Sequence, residues 1–168
     1  MIYKIPDDSG FIGIVNVDKY ITYLKKDWWF EDLERHFLTQ MHNLNLLLWA
    51  TGLEEIWRVD VHRGISKREG FRSVLGNIQV TNRKLYFISY DDLSYVAQFE
   101  DERLPNKGFE NNFINLENGL YRMHVIQVFP LDGPYDPKEP QFIIEYEPTR
   151  SADNIWTKIP WFTEKEYG

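Results

Sequence analysis

The sequence predicts one α+β domain dominated by antiparallel β-sheet, a sandwich or partly open barrel of about seven strands with two or three short helices. Three observations carry this prediction. The chain of 168 residues fits a single domain, here taken as residues 1–168. Short apolar segments alternate with turn residues along most of its length, and one long segment has helical periodicity.

The first elements are a strand and a short helix. The segment Phe11–Val17 (FIGIVNV) is apolar and follows the turn residues Asp8, Ser9 and Gly10, which is typical of a buried strand. Asp18 can cap a short helix that extends to about Lys25.

A second helix is predicted from about Asp27, which can serve as its N-cap. Its apolar residues recur at intervals of three and four, which places them on one face: Phe30, Leu33, Phe37, Met41 and Leu44. We expect this face to pack on the sheet through the first four of them. The run Leu46–Trp49 could continue the helix or form a strand, and we favour the strand.

Alternation then predicts further strands. Residues 56–61 alternate apolar and polar side chains, as a half-buried strand does. Phe71–Thr81 is a weaker strand in which Gly76 is interpreted as a bulge. Asn82-Arg83 is interpreted as a hairpin turn into the strand Lys84–Tyr90.

The last third of the chain contains the clearest turn signal. Asp91 or Asp92 is expected to cap a helix that ends near Phe99. Asn118-Gly119 predicts a hairpin between segments 113–116 and 120–129, with positive φ at the turn. A final strand is expected at 141–146, and the aromatic tail after Pro148 is expected to pack on the body.

Two strands resemble each other. Residues 56–61 (IWRVDV) and 120–125 (LYRMHV) both place an aromatic residue before an arginine, which indicates either a pseudo-repeat or ordinary alternation. If these strands are neighbours, their polar side chains form one patch. That patch consists of Arg58, Asp60, His62, Arg122 and His124. An imidazole oriented by a carboxylate could transfer protons, so a small hydrolase or ligand-binding barrel is one hypothesis, although a solvated sheet face explains the patch as well.

Other catalytic and cofactor patterns are missing from the sequence. It contains no zinc or calcium spacing, no nucleophile elbow and no phosphate-binding glycine loop. We therefore expect no metal and no cofactor. The chain has no cysteine and no apolar leader segment after Met1, which favours a cytoplasmic protein, and its longest apolar run is too short to cross a membrane.

The net charge of −7 argues against nucleic-acid binding and favours a basic partner, although solubility alone would explain it. The acidic residues occur in short clusters along the chain: Asp7-Asp8, Glu54-Glu55, Asp91-Asp92 and Glu100-Asp101-Glu102.

Aromatic residues make up 16% of the chain, more than one small core needs. Trp28 and Trp29 are adjacent, and adjacent helical residues point about 100° apart, so at least one indole should be partly exposed. In composition the chain is similar to inhibitor and toxin-immunity proteins. We therefore expect a protein-binding module that contacts its partner through Trp28, Trp29, Asp91, Asp92 and Glu100–Glu102, while a homo-oligomer that hides its aromatic residues stays an alternative.

Overall fold

A computed structural model describes residues 1–163 of the protein. Within that range the chain forms nine strands and two helices. The strands are β1 (Ile2–Asp7), β2 (Phe11–Val15), β3 (Leu46–Ala50), β4 (Glu55–Arg63), β5 (Arg72–Val80), β6 (Lys84–Ser89), β7 (Phe113–Asn115), β8 (Gly119–Gln127) and β9 (Phe142–Pro148). The helices are α1 (Phe30–His42) and α2 (Tyr90–Gln98).

The strands form two sheets stacked as a sandwich. One sheet has five strands in the order β1-β4-β9-β8-β5, and the other has four in the order β3-β2-β6-β7. All pairs are antiparallel except β4 with β9. The α+β class with dominant antiparallel sheet is therefore confirmed, as a sandwich rather than a closed barrel.

The four-stranded sheet is the middle layer. Trp49 contacts Phe142 of the five-stranded sheet with ring centroids 6.1 Å apart, and Phe87 contacts Tyr3 in the same way at 4.7 Å. The two helices pack on the opposite face. Strands β2 and β3 are buried along their whole length because both of their faces are covered.

Helix α1 confirms the predicted apolar face. Leu33, Phe37 and Met41 are fully buried, and Phe30 is partly buried against the ring of Tyr90. The helix begins after Trp29 rather than after Asp27, because the carboxylate of Asp32 accepts a hydrogen bond from the Trp29 backbone N–H at 3.0 Å.

The helix predicted from Asp18 to about Lys25 is absent from the structure. The side chain of Asn16 accepts hydrogen bonds from the backbone N–H groups of Asp18 and Lys19 at 3.0 and 3.2 Å. Such a side-chain turn competes with helix formation. The chain then continues to Lys25 without regular structure.

The two predicted hairpins are wrong. Asn118-Gly119 connects β7 of one sheet to β8 of the other, and Asn82-Arg83 connects β5 to β6 in the same manner. The two crossovers lie side by side, because Asn118 Oδ1 accepts from the Arg83 N–H at 2.8 Å. Gly119 does have positive φ, at 149°.

Gly76 does not form a bulge, because β5 pairs continuously with β8 through it. A Cβ atom at this position would lie 2.7 Å from the indole of Trp156 and 2.9 Å from Leu47. Glycine is therefore required for a close approach. The contact also confirms that the tail packs on the body, where Trp156 Nε1 donates to the Leu75 carbonyl at 2.6 Å.

Strand β1 was not predicted, and its last residue organises the adjoining turn. Asp7, only 2% exposed, accepts hydrogen bonds from five donors. Its Oδ1 accepts from the backbone N–H groups of Ser9, Gly10 and Phe11 at 3.0, 2.7 and 3.1 Å. Its Oδ2 accepts from Thr51 Oγ1 at 2.6 Å and from Trp57 Nε1 at 2.8 Å.

No helix among residues 1–163 is long and apolar enough to span a bilayer.

Candidate functional site

The tryptophan pair lies at the start of α1, and its two indoles have different environments. Trp29 is 79% exposed, whereas Trp28 is half-buried and packs against the core. The sequence prediction that one indole would be exposed is thus confirmed for Trp29. A large aromatic side chain held by a helix cap is an ordered contact surface, because few of its rotatable bonds need to be fixed on binding.

The acidic residues Glu100 to Glu102 follow the end of α2. The aromatic pair of Tyr95 and Phe99 precedes them, with ring centroids 4.9 Å apart. Tyr95 Oη donates to Glu102 Oε1 at 3.1 Å, which orders this part of the loop. Tyr95 and Phe99 are both exposed, as are Glu100 and Asp101.

The segment 21–25 joins these two regions. The backbone N–H groups of Leu24 and Lys25 donate to the Ala97 carbonyl of α2 at 2.9 and 3.2 Å. The ammonium group of Lys25 lies 3.3 Å from the Asp32 carboxylate of α1. Segment 21–25 therefore contacts both the start of α1 and the end of α2. We give the name helical face to the candidate residues at these two ends, which are Trp29, Tyr95, Phe99 and Glu100–Glu102.

Asp91 and Asp92 lie in the first turn of α2, and neither of them is the N-cap residue that the sequence predicted. Ser89 is the N-cap, and Asp92 Oδ2 accepts from its backbone N–H at 2.8 Å. Asp92 Oδ1 accepts from Asn106 Nδ2 at 2.9 Å, and Asp91 Oδ1 accepts from Ser9 Oγ at 2.5 Å. Burial raises the pKa of Asp92. These carboxylates already have internal donors.

The strands that carry the polar patch are not direct neighbours, because β9 lies between β4 and β8. Two carboxylates of β9, Glu145 and Glu147, therefore separate the two halves of the patch. Glu145 pairs in register with both His62 and His124, and Arg122 Nη1 lies 3.2 Å from Glu147 Oε1. Sequence reasoning missed Glu145, although it is the first charged residue in the otherwise apolar start of that strand, FIIE.

Glu145 is the best-connected group of this patch. Ser66 Oγ donates to its Oε2 at 2.6 Å, and His124 Nδ1 lies 3.4 Å from its Oε1. Burial acts to raise the pKa of Glu145, but the hydrogen bonds from Ser66 and His124 outweigh burial and the pKa lies below its usual value. These contacts hold the loop after β4 against the sheet.

The remaining patch residues are also engaged with their surroundings. His62 Nε2 lies 2.8 Å from Asp60 Oδ2, and the amino terminus lies 3.2 Å from Asp60 Oδ1. Arg58 donates to the carbonyls of Pro137 and Glu139, which fixes the loop before β9. Five of the cavities formed by residues 1–163 lie elsewhere, and neither His62 nor His124 lines any of these five. Among residues 1–163, no group of three or more histidines and carboxylates is arranged to hold a metal ion.

The architecture, a five-stranded and a four-stranded sheet with helices on one side, has similar solved structures, although no family model and no curated protein matches the sequence. The chain is similar to the structure titled "Crocagin biosynthetic gene J", with 15% identity, a TM-score of 0.58, and coverage of 89% of this chain and 98% of that one. It is also similar to ComJ from Bacillus subtilis, described as an inhibitor of the DNA-degrading activity of NucA. There the identity is 12%, the TM-score 0.51, and the coverage 87% of this chain and 93% of ComJ. At these identities the likeness establishes a shared fold.

Proposed function

We propose that this chain is a non-enzymatic, cytoplasmic binding protein of the inhibitor or immunity type, and that its helical face docks a basic partner protein. The observation that carries the proposal is the 79% exposed indole of Trp29 at the start of α1. Segment 21–25 connects that start to the end of α2, which the acidic loop Glu100–Glu102 follows. The solved structure of ComJ supports it, since an inhibitor of another protein is built on a similar fold.

The two parts of the helical face have different roles in this proposal. An acidic loop attracts a basic partner over a distance and mainly accelerates association. A large aromatic anchor that becomes buried in the complex mainly slows dissociation. Asp91 and Asp92 are left out of the direct contact, because their carboxylates accept internal hydrogen bonds.

The partner can be sought with the chain as bait in a pull-down from the native host, at low and at high salt. The recovered protein is then used for binding kinetics. Reversal of Glu100, Asp101 and Glu102 to lysine is expected to lower the association rate by about tenfold or more at low salt. The effect should disappear at about 1 M salt, where exposed charges are screened. The control reverses the exposed pair Glu54-Glu55 to lysine. This pair lies at the start of β4, in the five-stranded sheet and away from the helices.

The Trp29→Ala variant tests the anchor in the same assay. Its dissociation rate should rise by about 30-fold, which corresponds to about 2 kcal/mol of binding free energy. Tyr135→Ala is the control, because Tyr135 is also exposed but lies in the loop before β9. Unchanged kinetics in both the Glu100–Glu102 reversal and Trp29→Ala would contradict the proposal that the partner docks on the helical face. Recovery of no partner, together with a hydrolase activity lost in His62→Ala or His124→Ala, would contradict the binding function itself.

A further inference from the structure

A polar cavity lies at one end of the sandwich, where the two sheets are joined. Its volume is about 330 Å³, and it opens to solvent. Arg63 and Tyr146 line it from the ends of β4 and β9, where these two residues pair in register. Arg83 and Glu117 line it from the two crossovers that connect the sheets. We call it the crossover pocket. Its lining residues are separate from those that define the helical face.

Arg63 is an exposed arginine on the face of β4 that otherwise packs in the core. Side chains alternate along a strand, so Trp57, Val59 and Val61 share this face with Arg63. Trp57 and Val59 are buried between the sheets. The guanidinium of Arg63 has no hydrogen bond and no ion pair with another residue in the range 1–163. It therefore offers its full charge and its N–H donors to the crossover pocket.

The surroundings of Tyr121, another lining residue, show where this charge lies. Tyr121 Oη donates to the Glu117 carbonyl at 2.7 Å, which holds the start of β8 against the crossover before it. Burial raises the pKa of Tyr121, and the positive charge of Arg63 acts in the opposite direction. Because Coulomb interactions weaken with distance, the guanidinium of Arg63 lies near the Tyr121 hydroxyl.

The other lining residues supply further accessible donors. Arg83 Nη2 donates to both carboxylate oxygens of Glu117 at 2.9 Å, which leaves Nε and Nη1 of Arg83 without a partner among the described residues. The side chains of this pair are 65% and 77% exposed, and such an exposed ion pair is weak. Tyr146 Oη and the amide of Asn115 also have no hydrogen-bond partner in the described part of the chain, and neither group is enclosed by the protein.

Two arginines and one carboxylate give the crossover pocket one excess positive charge, in a chain whose net charge is −7. From this geometry we propose that the pocket binds a phosphate dianion, either free or as the monoester of a small hydroxylated molecule. The guanidinium groups of Arg63 and Arg83 present paired N–H donors that match phosphate oxygens, and Tyr146 Oη donates a further hydrogen bond.

The body of an ester has to be polar as well. Charged residues, tyrosines and an asparagine form most of the lining, and Glu117 can accept hydrogen bonds from hydroxyl groups. The cavity is also at the small end of the range for small-molecule sites, which is about 300–1,000 Å³. The inference does not depend on the helical face or on its partner protein.

The test is a titration of the full, ¹⁵N-labelled chain followed by NMR, with glucose 6-phosphate as the probe. The Nε–H signal of Arg63 and the side-chain NH₂ signals of Asn115 are expected to shift and to saturate with increasing probe. Glucose, which lacks the phosphate, should bind at least about tenfold more weakly. Inorganic phosphate distinguishes the two sources: weaker binding than that of the ester indicates a monoester, and equal binding indicates free phosphate.

Two variants change the charge of the crossover pocket in opposite directions, and the Asn115 signals report binding in both. Arg63→Gln should weaken binding of glucose 6-phosphate about tenfold, and its exposed, unpaired side chain is not needed for folding. Glu117→Gln removes the carboxylate that competes with phosphate for Arg83, so the affinity should rise by about threefold or more. Loss of structure would not increase the affinity.

Arg35→Gln is the control, because it removes an exposed arginine from helix α1, and it should leave binding unchanged. Three results would overturn the proposal. They are the absence of saturable shifts at Arg63 and Asn115, equal binding of glucose and glucose 6-phosphate, and an affinity that neither falls in Arg63→Gln nor rises in Glu117→Gln.

Discussion

Replacement of Asp7 by alanine is expected to lower the free energy of unfolding by about 3–5 kcal/mol. The carboxylate accepts five hydrogen bonds at the β1–β2 turn, and its removal takes away the acceptor of the buried Gly10 backbone N–H and of the Trp57 indole N–H. Thr51 recovers part of the loss, because its hydroxyl already lies 3.2 Å from the Leu53 carbonyl. Urea unfolding at pH 7 measures the change.

The adjacent residue provides a matched control. Asp8 is exposed, and its contact with Asp91 uses the backbone N–H rather than the side chain. Asp8→Ala should therefore change the free energy of unfolding by less than about 0.5 kcal/mol. The loss of unfolding free energy in Asp7→Asn should lie between those of Asp7→Ala and Asp8→Ala. The amide oxygen still accepts from the turn, while the NH₂ group opposes the N–H of the Trp57 indole. Equal stability of the Asp7 and Asp8 alanine variants would contradict the structural role of Asp7.

This pair also marks a limit of the sequence analysis. Asp7 and Asp8 were grouped as one of several acidic clusters, because sequence alone does not say which of two neighbouring carboxylates faces the interior. The strand that ends at Asp7 was missed for a related reason. Pro6 and Lys4 weaken its β pattern, but β1 is an edge strand, where proline removes no hydrogen bond that the sheet needs.

Local sequence patterns predicted the helices and strands well, but they predicted poorly which strands pair with each other. The period of three and four residues identified α1, and the apolar run Leu46–Trp49 was correctly assigned as a strand. The chain does bend at Asn82-Arg83 and at Asn118, yet both bends lead from one sheet to the other. A turn sequence specifies local backbone geometry, whereas packing of distant segments decides which strands become neighbours.

The same distinction applies to the candidate sites. One exposed indole was expected and Trp29 is 79% exposed, but the predicted reason was wrong, because both tryptophans precede α1 and Trp29 has extended backbone geometry. Glu145, by contrast, reaches the polar patch only because β9 inserts between β4 and β8, and its pairing with β4 is parallel and distant in sequence. Segment 21–25 was expected to be a helix, so the hydrogen bond from the Ile21 N–H to the buried Gln40 side chain could not be predicted.

Phe37→Ala is expected to lower the free energy of unfolding by about 3–5 kcal/mol. Its side chain is fully buried on the inner face of α1 and contacts the ring of Tyr90 edge-on, with centroids 6.2 Å apart. The helix and the sheet can collapse only partly into the space that remains, because both are held by their own backbone hydrogen bonds. Thr39→Ala, on the exposed side of the same helix, should change stability by less than about 0.5 kcal/mol. Chemical denaturation of both variants measures the difference, and a loss below about 1 kcal/mol at Phe37 would mean that α1 does not pack on the sheet in solution as described.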